Sequence, residues 1–201
     1  MTAPDFAAAR AYALGRLASE LPGWMEYHSL EHTRDVVGRA AERLAAYQPL
    51  PERERELLLT AAAFHDVGFV LRYAGHEAAG AEIAQQVLPG YGLSVAEVQA
   101  IVGMILATRL PQSPQNHLEK LMADADLAVL GMDDFLPRNT SLRREMAVTG
   151  RLFSDAEWYH SQVRFIQNHQ YFTSAARALF DAKKAENLAA LSVLASQLAT
   201  V

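Results

Sequence analysis

The chain has 201 residues, 51% of them hydrophobic, which is enough to bury one sizeable core. Its formal net charge of -5 leaves no broad basic surface, so a long nucleic acid is not an expected partner. The absence of cysteine excludes disulfides and thiolate metal sites.

Helical patterning extends along nearly the whole chain. Alanine and leucine dominate, and no segment alternates over the length of a strand, so we expect an all-α fold. Proline, glycine and capping-box signals place the ends of the helices. The predicted helices cover about 5–21, 29–47, 51–66, 76–88, 94–107, 117–130, 141–148, 154–169 and 174–199. Without a repeat, a low-complexity linker or a break in composition, the economical interpretation is one domain over residues 1–201.

A histidine and an aspartate are adjacent in FHDVGF, at the end of an apolar helical run. His65 and Asp66 together offer an imidazole and a carboxylate, ligand types that suit a divalent metal. His65 shares a predicted face with Leu58 and Ala61, so it should point toward the core, where an unpaired histidine is costly. The dipeptide alone is weak evidence, because such pairs are common by chance.

Two other segments carry candidate ligands. His28 and His32 are four residues apart, so they share a face if both are helical. Asp124 and Asp126 interrupt an apolar helix, where carboxylates need a cation or hydrogen bonds unless the helix end frays into solvent. A mixed nitrogen and oxygen site would form from His32, His65, Asp66 and Asp126. Such a site suits manganese, iron, zinc, nickel or magnesium, with open positions for water and substrate.

The order and context of these residues resemble the HD-domain superfamily of metal-dependent phosphohydrolases. Its signature, a histidine, a His-Asp pair and then an aspartate, is similar to YHSLEHTRDVV, LTAAAFHDVGF and MADADLAVLG within about residues 24–131. The first of these segments is also similar to one in cyclic-nucleotide phosphodiesterases. The stretch FIQNHQYFTSAARALFDAKKAENLAAL resembles a bacterial subgroup of predicted HD phosphohydrolases. The resemblance implies a helical HD bundle with additional helices over about 132–201.

The resemblance also implies roles for individual residues. It makes His32, His65, Asp66 and Asp126 the ligands of one metal, and it makes Asp66 a catalytic residue placed to bridge to a second metal. By analogy with the phosphodiesterases alone, His28 is the candidate general acid. Some subfamilies use an extra histidine near a second metal, which His76 resembles, and Asp124 is a further candidate for that region. Subfamilies with a complete second site carry a His-His pair where this chain reads ILATR, which speaks against a tightly held second metal.

The implied activity is hydrolysis of a phosphate ester, phosphodiester or pyrophosphate bond by metal-activated water. The expected cofactor is a divalent ion among Mn, Mg, Fe, Co, Ni and Zn, and the expected substrate is a small phosphate ester, with a nucleotide favoured. Four cations near the motifs are candidates for phosphate binding, although a solvated helix face is the alternative for each. They are Arg34, Arg72, Arg109 and Lys120.

Two alternatives of other classes stay open. One is a regulatory HD domain that binds a nucleotide and metal without turnover, and the other is an HD-type di-iron oxygenase. Aromatic residues of the last third should form core or a homodimer interface, or should wall the pocket and stack on a base. Without a long apolar run or a convincing signal peptide, the expected location is the cytoplasm, and no membrane partner is expected.

Overall fold

The computed structural model describes residues 3–198, and no strand occurs among them, which confirms the all-α fold. Short non-α helical segments occur at His32–Gly38 (π-helical) and at Val67–Val70, Leu88–Tyr91 and Leu127–Gly131 (3₁₀). The α-helices of this described range are α1 (Phe6–Glu20), α2 (Arg39–Tyr47), α3 (Glu52–Phe64), α4 (His76–Val87), α5 (Val95–Ala107), α6 (His117–Asp126), α7 (Phe135–Val148), α8 (Asp155–Asn168) and α9 (Ser174–Leu198). No helix in it is long and apolar enough to cross a bilayer.

The central helix is α3, whose residues 57–64 are all buried. It packs against α1, α5 and α6, so apolar side chains are required around its whole circumference rather than along one stripe. Helix α1 contributes the face predicted from its sequence, with Phe6, Ala9, Ala13 and Leu17 buried. Because α3 is held from several sides, the residues at its C-terminal end have a fixed position.

A second apolar cluster joins the C-terminal helices to the motif segments. It contains Val36 of the π-helical segment, Val129 and Leu130 after α6, and Phe135, Ile166 and Leu191 of α7, α8 and α9. The buried Asn187 amide donates to the carbonyl oxygens of Leu130 and Met132, at 2.9 and 2.8 Å. Helix α9 therefore fixes the chain immediately after Asp126.

The helix boundaries differ from the sequence prediction in three places. The predicted helix 29–47 is π-helical from His32 to Gly38, a hydrogen-bond register that residue periodicity does not reveal. The predicted start near 141 was wrong: α7 begins at Phe135, whose side chain is buried in the second apolar cluster. Pro137 is compatible with this start, since it lies in the first turn, where a missing N–H is tolerated. The α-helical part of the sixth helix ends at Asp126. The predicted end of the last helix at Ala199 lies outside the described residues.

Candidate metal centre

The predicted ligands come together where three helical segments end or begin. His32 is the first residue of the π-helical segment, His65 caps the C-terminus of α3, and Asp126 is the last residue of α6. Asp66 follows His65 directly, at the start of a 3₁₀ turn. Helix ends allow these polar side chains to converge without breaking the hydrogen bonds of a helix interior.

The distances between the ligand atoms are short. Ligand atoms of His32, His65 and Asp66 all lie within 4.8 Å of one another, and the three side chains are buried. Asp66 Oδ2 is 3.1 Å from His65 Nε2 and 3.7 Å from His32 Nε2. Asp126 Oδ1 approaches the same two nitrogens at 3.5 and 3.8 Å. Two imidazole nitrogens and two carboxylate oxygens therefore face one point.

These residues fit a divalent metal. His65 Nδ1 lies 2.8 Å from the carbonyl oxygen of Ala62, which can only accept, so Nδ1 carries a hydrogen and Nε2 is the nitrogen that can coordinate. His65 Nε2 and Asp66 Oδ2 are buried without a hydrogen-bond partner within the described chain, as is His32 Nδ1 on the other side of its ring. Buried polar atoms without partners are costly, and a cation would satisfy the first two.

The electrostatics of the cluster depend on burial and on the close carboxylates. Burial opposes charge on His65, but the charges of Asp66 and Asp126 outweigh it and raise the pKa of His65 to about 9. Burial likewise acts against ionisation of Asp66, yet the surrounding imidazoles bring its pKa well below the usual range. For His32, burial dominates and lowers the pKa. Without a cation, a proton on His65 supplies positive charge that offsets the negative charge of the Asp66 and Asp126 carboxylates.

His28 lies beside this cluster and is oriented by a residue that is distant in the sequence. Its Nδ1 forms a short hydrogen bond with Glu145 Oε1, and Glu145 Oε2 accepts from the backbone N–H groups of Tyr27 and His28 at 2.9 and 3.0 Å. Tyr73 donates its hydroxyl to Glu145 Oε1 at 3.2 Å. Burial disfavours charge on His28, but the Glu145 hydrogen bond and nearby carboxylates give a net rise in its pKa. His28 and His32 were expected to share a helical face only if both are helical, and this does not hold, because His28 precedes the helix that contains His32.

His76 and Asp124 occupy different surroundings. His76 Nε2 is 3.6 Å from the second oxygen of Asp66, and its ring stacks on Phe69 at 3.7 Å between centroids. Asp124 accepts from the N–H groups of Phe172 and Thr173, both at 2.8 Å, and from the Thr173 hydroxyl at 2.7 Å. The structure thus gives Asp124 a role in holding the start of α9. Only His76 of the two faces the cluster.

A cavity of about 590 Å³ opens onto these groups. His28, Asp66, His76 and Asp126 line one part of it. Thr108, from the ILATR stretch, also lines it and donates its hydroxyl to the Ile105 carbonyl at 2.8 Å. The volume is in the range of sites for small organic ligands.

A family model described as "HD domain" matches residues 27–128, about half of the chain. The chain belongs to the HD-domain family. This confirms the superfamily resemblance, while the bacterial subgroup stays a prediction. Searches of curated proteins and of solved structures gave no significant match. The HD segment contains the four candidate ligands and His28, and it ends before α7, which carries Glu145.

The candidate phosphate-binding cations of this HD-domain chain are dispersed. Arg109 lines the cavity, and no carboxylate of residues 3–198 pairs with it. Arg34 pairs with Asp35 at 2.7 Å on the surface, and Arg72 bonds the Gly75 carbonyl at 3.3 Å. Neither of these two arginines lines the cavity, nor does Lys120.

Sequence reasoning missed three polar residues outside the HD motifs, two that line the cavity and one that lies behind it. Arg151, between α7 and α8, lines the cavity and has no carboxylate partner in the described part of the chain. Gln162 of α8 also lines it, whereas Glu145 reaches it through His28. No local sequence pattern distinguishes these residues, and their positions at the cavity are visible only once the packing of α7 and α8 is known. Of the aromatic residues of the last third, Phe165 lines the cavity.

Proposed function

We propose that this protein is a metal-dependent hydrolase of small phosphate esters, phosphodiesters or pyrophosphates. The observation that carries the proposal is the buried group of His32, His65 and Asp66, with Asp126 close by, at the wall of a cavity that also contains His28. Membership of the HD-domain family supports it, since metal-dependent phosphohydrolases make up most of that superfamily.

The ligand set supplies the first requirement of this chemistry. His32, His65, Asp66 and Asp126 would hold a divalent ion from Mn, Mg, Fe, Co, Ni or Zn. Such an ion, when bound, makes water more acidic and polarises a phosphoryl oxygen. Asp66 directs one oxygen to the His32–His65 pair and the other toward His76, so its two oxygens face different partners.

His28 supplies the proton for the leaving oxygen. Because Glu145 occupies Nδ1, the nitrogen free to donate to a ligand in the cavity is Nε2. The raised pKa of His28 keeps the ring protonated over more of the neutral range than an ordinary histidine. Glu145 itself is fully buried, so it acts on the reaction through His28 and not on the substrate.

The size of the cavity favours a small substrate, and its two arginines without carboxylate partners favour an anionic substrate. Arg109 and Arg151 belong to different segments and both line the cavity, where a guanidinium without a carboxylate partner is available to phosphate oxygens. A cavity of about 590 Å³ is sufficient for a mononucleotide-sized ligand. We therefore retain a nucleotide as the favoured substrate.

The test combines metal analysis with a substrate screen. Purified protein should contain a divalent metal and, supplied with Mn, Mg, Fe, Co, Ni or Zn, should hydrolyse bis(4-nitrophenyl) phosphate or members of a nucleotide panel. His65→Ala should lose both metal and turnover. His160→Ala changes an exposed histidine on α8 and should retain both.

Three outcomes would contradict the proposal. One is the absence of turnover with every metal and substrate, and another is equal turnover by the two alanine variants. The third is tight nucleotide binding without product in a single-turnover assay, which would favour the regulatory alternative. About two irons per chain with a visible charge-transfer band would instead favour the oxygenase.

A further inference from the structure

A chain of side-chain hydrogen bonds connects α8 to α7 and returns to α8 at the cavity wall. The indole nitrogen of Trp158 donates to Asn139 Oδ1 at 2.8 Å. The Asn139 amide nitrogen then donates to Gln162 Oε1 at 2.6 Å. Trp158 and Asn139 are 2% and 4% exposed, so the bond between them does not compete with bulk water.

The chemistry of the indole fixes the direction of this chain. An indole N–H can only donate, so the Asn139 atom facing it must be the oxygen and the other Asn139 atom must be the NH₂ group. That NH₂ in turn requires the oxygen of Gln162. Gln162 is therefore held with its own NH₂ group as the free end. Within residues 3–198 this NH₂ group has no hydrogen-bond partner, and Gln162 lines the cavity.

Apolar side chains from the same two helices line the same cavity as this donor. Phe135, Leu142 and Met146 of α7 and Phe165 of α8 all line the cavity. A ligand with many hydroxyl groups would leave most of them without partners against such a wall, at a cost for each. A flat apolar group with one acceptor would satisfy the wall and the donor together.

Helix α7 also connects this wall to the catalytic end of the cavity. Asn139, which orients Gln162, and Glu145, which orients His28, lie six residues apart on it. One rigid helix therefore sets the position of the amide donor relative to the proton donor. A substrate that contacts both is aligned by a single element.

We propose that Gln162 determines substrate specificity by donating its amide N–H to a carbonyl oxygen or ring nitrogen on a planar organic group. The inference rests on the proposed function, because that function places the phosphate of the same ligand at the metal end of the cavity. The ligand class is thus a phosphate ester of an acceptor-bearing planar group, which a nucleobase or an aromatic ketone would satisfy. Sugar phosphates without such a group are disfavoured.

The direct test compares two phosphonates that differ in one acceptor. In 4-acetylbenzylphosphonate the ring carries a carbonyl, and in 4-isopropenylbenzylphosphonate a CH₂ group of similar size replaces that oxygen. Dissociation constants are measured by calorimetry on the full chain with excess Mn²⁺, for the wild type and Gln162→Met. Wild type should bind the acetyl compound about 3- to 10-fold more tightly, the worth of one neutral hydrogen bond. Gln162→Met should remove this preference.

A matched control lies on the same helix. Gln167→Met makes the same change at an exposed position that does not line the cavity, and it should keep the wild-type preference. The methylenephosphonate analogues of uridine 5′-monophosphate and ribose 5-phosphate identify the source of the acceptor. If Gln162→Met removes the acetyl preference and also weakens the uridine compound but not the ribose compound, the acceptor belongs to a nucleobase. If it removes the acetyl preference and leaves both of these analogues unchanged, the acceptor belongs to another planar group.

The orienting role of the indole has its own test. Trp158→Phe removes the N–H that fixes the amides, so Asn139 and Gln162 can both reverse and the carbonyl of Gln162 can face the cavity. The Trp158→Phe variant should still bind both benzylphosphonates in calorimetry, but its preference for the acetyl compound should be smaller than that of the wild type. The thermal unfolding midpoint identifies any general damage from loss of the buried ring.

Failure of this inference and failure of the proposed function look different. Turnover of phosphate esters, combined with an equal effect of Gln162→Met on both benzylphosphonates or no effect on either, would overturn the inference alone. An intact acceptor preference that Gln162→Met abolishes, in a protein that hydrolyses nothing, would contradict the proposed function alone.

Discussion

The buried carboxylate of Glu145 holds four donors at once. These are the N–H groups of Tyr27 and His28, the His28 ring and the Tyr73 hydroxyl. Burial would raise its pKa, but the hydrogen bonds and charge of His28 outweigh burial and lower it, so the group is ionised in the folded protein. A fully buried and fully satisfied carboxylate gives His28 one ring orientation, which a general acid requires.

Glu145→Gln should therefore impair catalysis more than binding. The amide cannot accept from both backbone N–H groups and from His28, and it removes the charge that raises the pKa of His28. We expect kcat to fall by about 10- to 100-fold, part of the 10²–10⁴ that general acid catalysis contributes, with little change in KM. Activity that needs protonated His28 falls as pH rises through its pKa. With that pKa lowered, the alkaline limb of the kcat–pH profile should move to lower pH.

The matched control for this substitution is Glu26→Gln. Glu26 pairs with Arg144 of α7 at 3.3 Å, so it also ties the segment before His32 to α7, but at an exposed position. It should leave both kcat and the pH profile close to wild type, because exposed ion pairs contribute little. An unchanged alkaline limb in Glu145→Gln would contradict the assigned role of Glu145.

At this scale the sequence was informative inside the motifs and silent outside them. His32, His65, Asp66 and Asp126 were predicted as one set, and the structure brings their side chains together. The partner of His28 lies 117 residues away, and no local pattern distinguishes Glu145 from other glutamates of the chain. Asp124 looked similar to Asp126 in sequence, and only the packing of α9 separates their surroundings.

The 3₁₀ turn after Asp66 and helix α4 approach each other unusually closely at Gly68. A Cβ atom there would lie 1.9 Å from the carbonyl oxygen of His76 and 2.5 Å from the backbone nitrogen of Gly80. These are backbone atoms, so the overlap cannot be relieved by a rotamer change. Glycine at this position allows α4 to pack directly behind the His-Asp pair.

Gly68→Ala should lower the free energy of unfolding by about 1–3 kcal/mol, as overpacking in a core does. It should also weaken metal binding, because displacement of α4 moves His76 relative to Asp66. Urea denaturation and metal titration measure the two effects. Gly90→Ala is the control, since a Cβ there has no neighbour within 4 Å, and it should change stability by less than about 0.5 kcal/mol. Equal stability of the two variants would show that α4 accommodates the methyl group.

Helices were predictable as elements because apolar periodicity and caps are local properties. The capping boxes at Ser94 and Ser154 are both present in the structure, and α5 and α8 begin directly after them. The early start of α7 and the π-helical register at His32–Gly38 were not predictable, because tertiary packing selects them. Sequence thus identified the helices, and packing determined where two of them start or change register.

For the whole molecule, metal binding and folding stability should be coupled. The ligands come from segments far apart in the sequence, so an ion binds the folded chain in preference to the unfolded one and stabilises it. Divalent metal should raise the thermal unfolding midpoint of wild type and of His160→Ala, but not of His65→Ala. Because His65 must lose a proton to coordinate and its pKa is about 9, apparent affinity should increase as pH rises toward 9. Affinity independent of pH from 7 to 9 would contradict this assignment.

The C-terminal helices should add a separate pH dependence of stability through His169. Lys184 lies 3.1 Å from His169 Nδ1 and donates to the His169 carbonyl at 2.7 Å. Burial and the Lys184 charge lower the pKa of His169 to about 4, from an ordinary value of about 6.5. Between these values the unfolded chain binds more protons, so this contribution to stability is present above pH 6.5 and decreases as pH falls toward 4.

His169→Gln should therefore lose less stability on acidification than the wild type does. The measurement is the free energy of urea unfolding at pH 7.5 and pH 5, with a chelator present so that metal binding does not contribute. His160→Gln changes an exposed histidine of α8 and should keep the wild-type difference between the two pH values. If His169→Gln and the wild type lose equal stability, the acid sensitivity comes from other groups, and the contact between Lys184 and His169 does not set it.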